Sequence, residues 1–240
     1  MTRMLHEDHG HEQDGHMING ADSGQQTLPE DLEALVAEYK RVMPLMPVLH
    51  GAISKLAGKD AIKACGKRLR MISSQGGRPG IQFGHELEME VFQDYLLYMY
   101  RPRGISLVRQ MFNRKRFPAE SDEQRLLAGM VQARFSLFWI RELIPAGGFL
   151  ALDIISGKDF FILDMALPQV EATGLLAGLR ILPFGHAWMH TGVSLTLGSI
   201  ADPCGMQTED RVLTEKEERA FNEEIFFRWR SLLRETDSGE

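Results

Sequence analysis

Apolar positions recur at helical spacing through the first half of the chain. The first stretch follows Pro29, which suits the first turn of a helix, and its apolar side chains are Leu32, Leu35, Val36 and Tyr39. Prolines, glycines and capping residues delimit further predicted helices over residues 48–56, 60–71, 86–100, 106–112 and 121–133. The spacing therefore predicts a helical part over residues 29–133.

The pattern changes after residue 133 to short β-branched or aromatic runs separated by turns. These runs occupy residues 135–144, 149–155, 159–164, 176–182 and 186–191. Several short strands with turn signals between them are typical of an antiparallel meander or a small barrel. We therefore predict a predominantly antiparallel β-meander or small barrel over residues 134–200. Its buried side chains are predicted to be Phe135, Leu137, Leu150, Leu152, Ile154, Ile162, Ile181 and Trp188.

Two further segments flank these parts. Residues 1–28 are rich in His, Gly, Asp, Gln and Ser and have no apolar periodicity, so we expect a disordered His-rich tail. Within residues 201–240, Thr214 and Glu217 have the spacing of a capping box and predict the start of a last helix. The sequence therefore predicts an α+β fold, with an N-terminal helical part, an antiparallel β-meander or small barrel, and a C-terminal helix.

Composition limits the class of protein. The 240 residues are 44% hydrophobic and 25% charged, a balance typical of globular domains. No apolar run reaches the ~18–20 residues that span a bilayer, and the polar start of the chain lacks the core of a signal peptide. The two cysteines are far apart, and such sparse use of cysteine suits a reducing compartment. We therefore expect a cytoplasmic protein without a membrane partner.

Charge is distributed unevenly along the chain. The net charge is −6, yet residues 39–201 hold 20 Lys or Arg against 13 Asp or Glu, so the acidic excess lies towards the two ends. Two short basic stretches stand out in the middle. The first contains Lys55, Lys59, Lys63, Lys67, Arg68 and Arg70, and the second contains Arg101, Arg103, Arg109, Arg114, Lys115 and Arg116.

These basic stretches predict a surface that neutralises phosphate. The aromatic residues near them in sequence, which can stack on bases, are Tyr98, Tyr100, Phe112 and Phe117. We therefore predict a non-catalytic interaction module that binds nucleic acid or an acidic protein partner. The predicted binding residues are Lys59, Lys63, Lys67, Arg70, Arg101, Arg103, Arg109, Arg114 and Arg116. The competing interpretation is that these side chains only solvate helix faces and are balanced by the acidic ends.

A second class of function is a metal-dependent hydrolase. Glu86, Glu90 and Asp94 recur every four residues, which places them on one face of the predicted helix. Paired carboxylates can hold a divalent ion or divide acid and base roles. The competing interpretation is the solvated face of an amphipathic helix. The chain has no G-x-S-x-G motif, no Walker A motif and no dinucleotide fingerprint.

A third class is a metal-binding protein that uses the His-rich tail. Its histidines are His6, His9, His11 and His16, and acidic residues lie between them. Imidazole suits zinc, nickel and copper, so weak binding of Zn²⁺ or Ni²⁺ is expected here. The competing interpretation is a polar tail that only aids solubility. His186 and His190 are also four residues apart, but on a strand that spacing is ~13 Å, too far for one metal.

Several short sequences resemble a family of uncharacterised bacterial proteins. They are residues 50–65, Asp94-Tyr95, Tyr100-Arg101-Pro102, residues 133–138, residues 180–185 and Trp188-Met189. The resemblance covers about residues 48–197, and it implies a C-terminal β module similar to a domain found beside the cysteine-rich SEC-C zinc motif. That motif itself is absent because the chain has no cysteine cluster. The resemblance supports the division into parts and implies no activity.

Overall fold

The computed structural model describes residues 28–74, 79–203, 206 and 211–237. The predicted tail lies outside this part except for Leu28, and so do its four histidines, His6, His9, His11 and His16. The described elements have the predicted order of helices, then a barrel, then a C-terminal helix. The predicted α+β fold is therefore confirmed.

Six α-helices of the described chain precede the barrel. They are α1 (Leu32–Val42), α2 (Leu45–Ser54), α3 (Lys59–Arg68), α4 (Leu87–Tyr98), α5 (Leu107–Asn113) and α6 (Asp122–Val131). A serine caps the start of α5 and of α6, since Ser106 Oγ accepts from the Arg109 N–H (3.2 Å) and Ser121 Oγ accepts from the Gln124 N–H (3.2 Å). Two short strands, β1 (Ile72–Ser73) and β2 (Gly80–Ile81), pair between α3 and α4.

The second helix begins earlier than the sequence predicts. Pro44 separates α1 from α2 as expected, but Pro47 lies inside the first turn of α2 and does not delay its start to residue 48. The first N–H groups of a helix have no partner within the helix, so a proline there removes no hydrogen bond. The predicted start of this helix at residue 48 is therefore wrong, because α2 begins at Leu45.

Five strands follow and close into a barrel. They are β3 (Arg134–Ile144), β4 (Gly148–Asp153), β5 (Asp159–Leu163), β6 (Leu175–Phe184) and β7 (Ala187–Ser199). The order around the barrel is β3-β4-β5-β7-β6, with β6 returning to pair with β3. All neighbours are antiparallel except β5 and β7, where Ile162 lies opposite Trp188 in a parallel pair. The predicted small barrel is confirmed, and the parallel pair makes its sheet mixed.

The strand order is that of OB-fold barrels. Their first strand pairs with the second and the fourth, and such folds bind oligonucleotides or oligosaccharides on the face of strands two and three. The equivalent outward face here is apolar and consists of Leu150, Leu152, Phe161 and Leu163. Phe161 and Leu163 are only 1% and 0% exposed. This face is therefore part of the hydrophobic core and is not a free binding surface.

Two apolar clusters fill the molecule. One occupies the barrel interior and includes Phe138, Ile140, Phe149, Ile162 and Ile181. The other lies between the outer face of the barrel and the helices. Of the eight predicted core residues of the barrel, six are buried, and the remaining two, Leu150 and Trp188, are half-buried.

The last helix, α7 (Glu215–Asp237), packs against β3 and β7. Its start has the predicted capping box: Glu217 Oε2 accepts from the Thr214 N–H (2.8 Å), and Thr214 Oγ1 accepts from the Glu217 N–H (3.4 Å). Among the described residues, no helix combines the length and the apolar character needed to cross a bilayer.

Candidate functional site

A cleft of about 310 Å³ lies between α1, α2, α4 and the first half of β7. Its apolar walls are formed by Tyr39, Met43, Met46, Pro47, Met189 and Val193. Its polar lining consists of His50, Glu90, Gln93, Asp94, His190 and Thr191. The cleft thus has the usual composition of a small-molecule site, mostly apolar with a few convergent polar groups.

The floor of the cleft is Asp94, whose carboxylate is buried and fully engaged. Its Oδ2 accepts from Arg180 Nε (2.9 Å), and its Oδ1 accepts from Thr191 Oγ1 (2.9 Å). Arg180 NH1 also donates to Glu218 Oε1 (2.7 Å), so one guanidinium on β6 bridges carboxylates on α4 and α7. We call Asp94, Arg180 and Glu218 the buried triad. A charge is stable away from water only with such partners.

Arg180 is fully buried and remains charged. Burial by itself lowers the pKa of Arg180, but the adjacent carboxylates of Asp94 and Glu218 more than offset it and raise the pKa above its usual value. The guanidinium also lies over the Tyr98 ring, 4.8 Å from its centroid. Glu218 in turn accepts from the Phe135 N–H (2.8 Å). The triad therefore joins α4 and α7 to three barrel strands, β3, β6 and β7, beneath the cleft.

His50 lies beside the triad in a neutral state. Its Nε2 is 3.2 Å from the Tyr98 hydroxyl oxygen, at hydrogen-bond distance. Burial lowers the pKa of His50, and the nearby charges of Asp94 and Arg180 act in opposite directions on it. The imidazole therefore carries no charge at neutral pH. It contributes a polar edge to the cleft without contributing a positive charge.

His190 forms a second polar pair with Asp164. Its Nε2 is 2.7 Å from Asp164 Oδ2, and its Nδ1 accepts from the Gly192 N–H (3.1 Å). Both ring nitrogens of His190 therefore have hydrogen-bond partners. Burial raises the pKa of Asp164, but the hydrogen bond and charge of His190 and two backbone N–H groups bring it below its usual value.

His186, which is four residues before His190, is separate from this pair. His186 is exposed and lies 2.8 Å from Asp31 Oδ1, in front of α1. The two histidines therefore contact different carboxylates, Asp31 and Asp164.

The predicted carboxylate face does not form a metal site. Glu86 and Glu90 are exposed, whereas Asp94 is buried and both its oxygens are taken by Arg180 and Thr191. In the described ranges, no three His, Cys, Asp or Glu side chains are grouped so that they could hold a metal ion. The hypothesis of a hydrolase metal held by Glu86, Glu90 and Asp94 is therefore wrong, because the deepest carboxylate serves an arginine.

The sequence patterns missed the partners of Asp94. Arg180, Thr191 and Glu218 lie 86 to 124 residues further along the chain, so no local spacing links them to it. One signal was present: Arg180 is the only charged residue in the otherwise apolar run of β6. A lone charge in a buried strand requires an opposite charge from elsewhere.

The first basic stretch lies on the surface of α3 and the turn after it. Lys59, Lys63, Lys67 and Arg70 are all exposed. Arg68 NH1 donates to Glu223 Oε1 (3.1 Å), and the guanidinium of Arg70 lies 4.7 Å from the Phe227 ring centroid. The stretch is therefore attached to the middle of α7, and its lysines point to solvent.

The second basic stretch lies around α5. Arg109, Arg114 and Arg116 are exposed, and Arg101 is half-buried. Arg101 forms an ion pair with Glu215 and donates from Nε to the Tyr98 carbonyl (3.2 Å). The side chain of Arg103 lies outside the described part.

Both basic stretches meet α7. The two ion pairs that connect them use Glu215 and Glu223, which are eight residues apart on that helix, or about 12 Å at 1.5 Å per residue. One arginine from each stretch, Arg68 or Arg101, is therefore tied to α7.

One family model matches the chain, over residues 33–237, and the family that it describes has no known function. No curated protein and no solved structure matches the chain significantly. The match confirms the prediction of an uncharacterised family and covers the helices, the barrel and α7 together.

Proposed function

We propose that this chain, which belongs to the family of unknown function DUF7986, is a non-catalytic protein that binds nucleic acid. One observation carries the proposal. Exposed cations on α3 and around α5 form no ion pair within the described residues, and they include Lys59, Lys63, Lys67, Arg109, Arg114 and Arg116. Cations that no acid of the fold neutralises are available to phosphate.

The arrangement of α3 supports this reading. Lys59, Lys63 and Lys67 recur every four residues, so their Cα atoms rise about 6 Å from one to the next along one side of the helix. This row of three lysines is about 12 Å long. A phosphate backbone carries its negative charges at comparable or closer intervals, so a strand can contact several of these lysines at once.

The contacts would be to phosphate rather than to bases. Tyr98, one of the aromatic residues predicted to stack on bases, is buried beneath Arg180, and Tyr100, Phe112 and Phe117 are half-buried in the core. The OB-type face of β4 and β5 is covered as well. Because these rings pack against the core and the β4–β5 face is covered, binding depends on charge and tolerates changes of base sequence.

Charge reversal on α3 tests the proposal. The variants Lys63→Glu and Lys67→Glu, alone and together, are compared with the parent by fluorescence anisotropy on labelled DNA and RNA at ~50 mM salt. The double variant is expected to bind at least about tenfold more weakly, on every sequence alike, because two phosphate contacts become repulsive. Lys40→Glu, an exposed lysine on α1 outside both stretches, is the matched control and should change affinity little.

If the parent binds no nucleic acid under these conditions, the proposal is wrong. The free cations of α3 would then favour the acidic protein partner that the sequence also predicts.

Three further expectations stay predictions from the sequence: the kinship of the barrel with the module beside SEC-C zinc motifs in bacterial proteins, a cytoplasmic location, and weak binding of Zn²⁺ or Ni²⁺ by the His-rich segment.

A further inference from the structure

The cleft beside Asp94 is electronegative. Among the described residues, no lysine or arginine lines it, whereas Glu90 and Asp94 do. Behind Asp94, the buried triad contains two carboxylates and one guanidinium, which leaves one net negative charge. An anion would be repelled from this cleft, and a cation would be attracted to it.

The walls suit an apolar group next to that charge. The lining of the cleft includes three methionines and a tyrosine, Met43, Met46, Met189 and Tyr39. Methionine side chains adapt to ligands of irregular shape, and an aromatic face attracts a cation. The volume of about 310 Å³ is at the lower end for ligand sites, which limits the occupant to a small molecule.

Glu90 is the group that can pair with a bound cation. Asp94 has no free oxygen, because Arg180 and Thr191 occupy both. Glu90 lies one helical turn before it on α4, is exposed, and makes no ion pair with any residue that the structure describes. A cationic group in the cleft would therefore meet Glu90 at the mouth while its apolar part contacts the methionines.

We infer that this cleft is a binding site for a small organic amine, protonated at one end and apolar at the other. The inference is independent of nucleic-acid binding, since it uses α1, α2, α4 and β7 and none of the basic side chains. It also gives the molecule two chemically opposite sites, one for a polyanion and one for a small cation.

Three matched probes test the inference on the full chain. They are 2-phenylethylamine, the neutral 2-phenylethanol and the anionic 3-phenylpropanoate, titrated by calorimetry or by NMR. We expect the amine to bind about tenfold more tightly than the alcohol, and the carboxylate to bind most weakly. Glu90→Gln should weaken amine binding about fivefold and leave alcohol binding unchanged, as is usual for a partly solvated ion pair.

Two controls locate the site. Glu86→Gln removes an exposed carboxylate one turn earlier on the same helix, outside the cleft, and should leave amine binding unchanged. In methyl NMR spectra, the amine should shift the signals of Met43, Met46 and Met189. The signal of Met89, which is 59% exposed on α4 and does not line the cleft, should not move.

Equal affinity for the amine and the alcohol, or an unchanged amine affinity in Glu90→Gln, would overturn the inference. The absence of amine binding at about 10 mM would also overturn the inference, because small-molecule sites bind their ligands at lower concentrations than this. Nucleic-acid binding is measured separately, so its failure would not affect this result.

Discussion

Arg180 is a charged residue in the middle of a buried strand, beneath the cleft. It binds two carboxylates that come from two different helices, Asp94 on α4 and Glu218 on α7. Because Arg180 is the counter-charge of both carboxylates, removing it leaves both of them charged and buried. The stability of the site is therefore concentrated in this residue.

We expect Arg180→Met to destabilise the protein by about 3–5 kcal/mol, because it leaves Asp94 and Glu218 buried without a counter-charge. The measurement is urea unfolding followed by circular dichroism. Arg114→Met, at an exposed arginine of similar size, should change the free energy of unfolding by less than about 0.5 kcal/mol. A loss of under about 1 kcal/mol in Arg180→Met would contradict the role of the triad.

His50 predicts a dependence of stability on pH. Its pKa is lowered in the folded protein, so the unfolded chain binds a proton more readily, near the ordinary value of ~6.5. The stability from a neutral buried His50 is therefore present above pH ~6.5 and is lost as pH falls through the folded pKa. His50→Gln should reduce the loss between pH ~6.5 and ~5, as measured by thermal melts across that range. Parallel curves for both proteins would show that His50 is not the titrating group.

At the scale of elements, close approach of α7 to the barrel depends on one glycine. A Cβ built on Gly178 would lie 2.7 Å from Ile225 and 2.8 Å from the Phe135 ring. Any side chain at this position of β6 would therefore push α7 or β3 away. Gly51 on α2 is the opposite case, since nothing lies within 4 Å of its position.

The two glycines should respond to alanine with opposite signs. Gly178→Ala is expected to cost about 1–3 kcal/mol of unfolding free energy through overpacking. Gly51→Ala should stabilise by about 0.5–1 kcal/mol, because alanine restricts the unfolded chain and suits a helix interior. Both values come from chemical denaturation of the same protein. Stabilisation by Gly178→Ala would mean that α7 does not lie as close to β6 as the structure shows.

Local signals predicted the elements well and their pairing poorly. The capping box at Thr214 and Glu217 and the cap at Ser121 are short-range patterns, so the sequence alone located the starts of α7 and α6. The parallel pairing of β5 with β7 joins residues that no periodicity connects. The same holds for the cleft: Asp94 was singled out from its helix, but Arg180 and Glu218 reach it only through the closed barrel.

Across the whole molecule, charge distinguishes two sites. The chain carries a net charge of −6, so nucleic acid is attracted only where cations are grouped and exposed. The α3 and α5 stretches meet this condition, and the cleft, which is lined by Glu90 and Asp94, does not. A surface of this kind acts through counterion release, which makes its affinity sensitive to salt.

The dependence of DNA affinity on salt concentration is the decisive test of whether the basic stretches bind phosphate. Binding of the full chain to duplex DNA is measured by anisotropy at several salt concentrations from ~50 to ~200 mM. If about five phosphates are neutralised, the logarithm of the binding constant should fall against the logarithm of salt concentration with a slope near −4 to −5. In the double variant of Lys63 and Lys67, the slope should be less steep by the equivalent of about two phosphate contacts. A slope near zero, or no binding at ~50 mM salt with micromolar protein, would contradict the account.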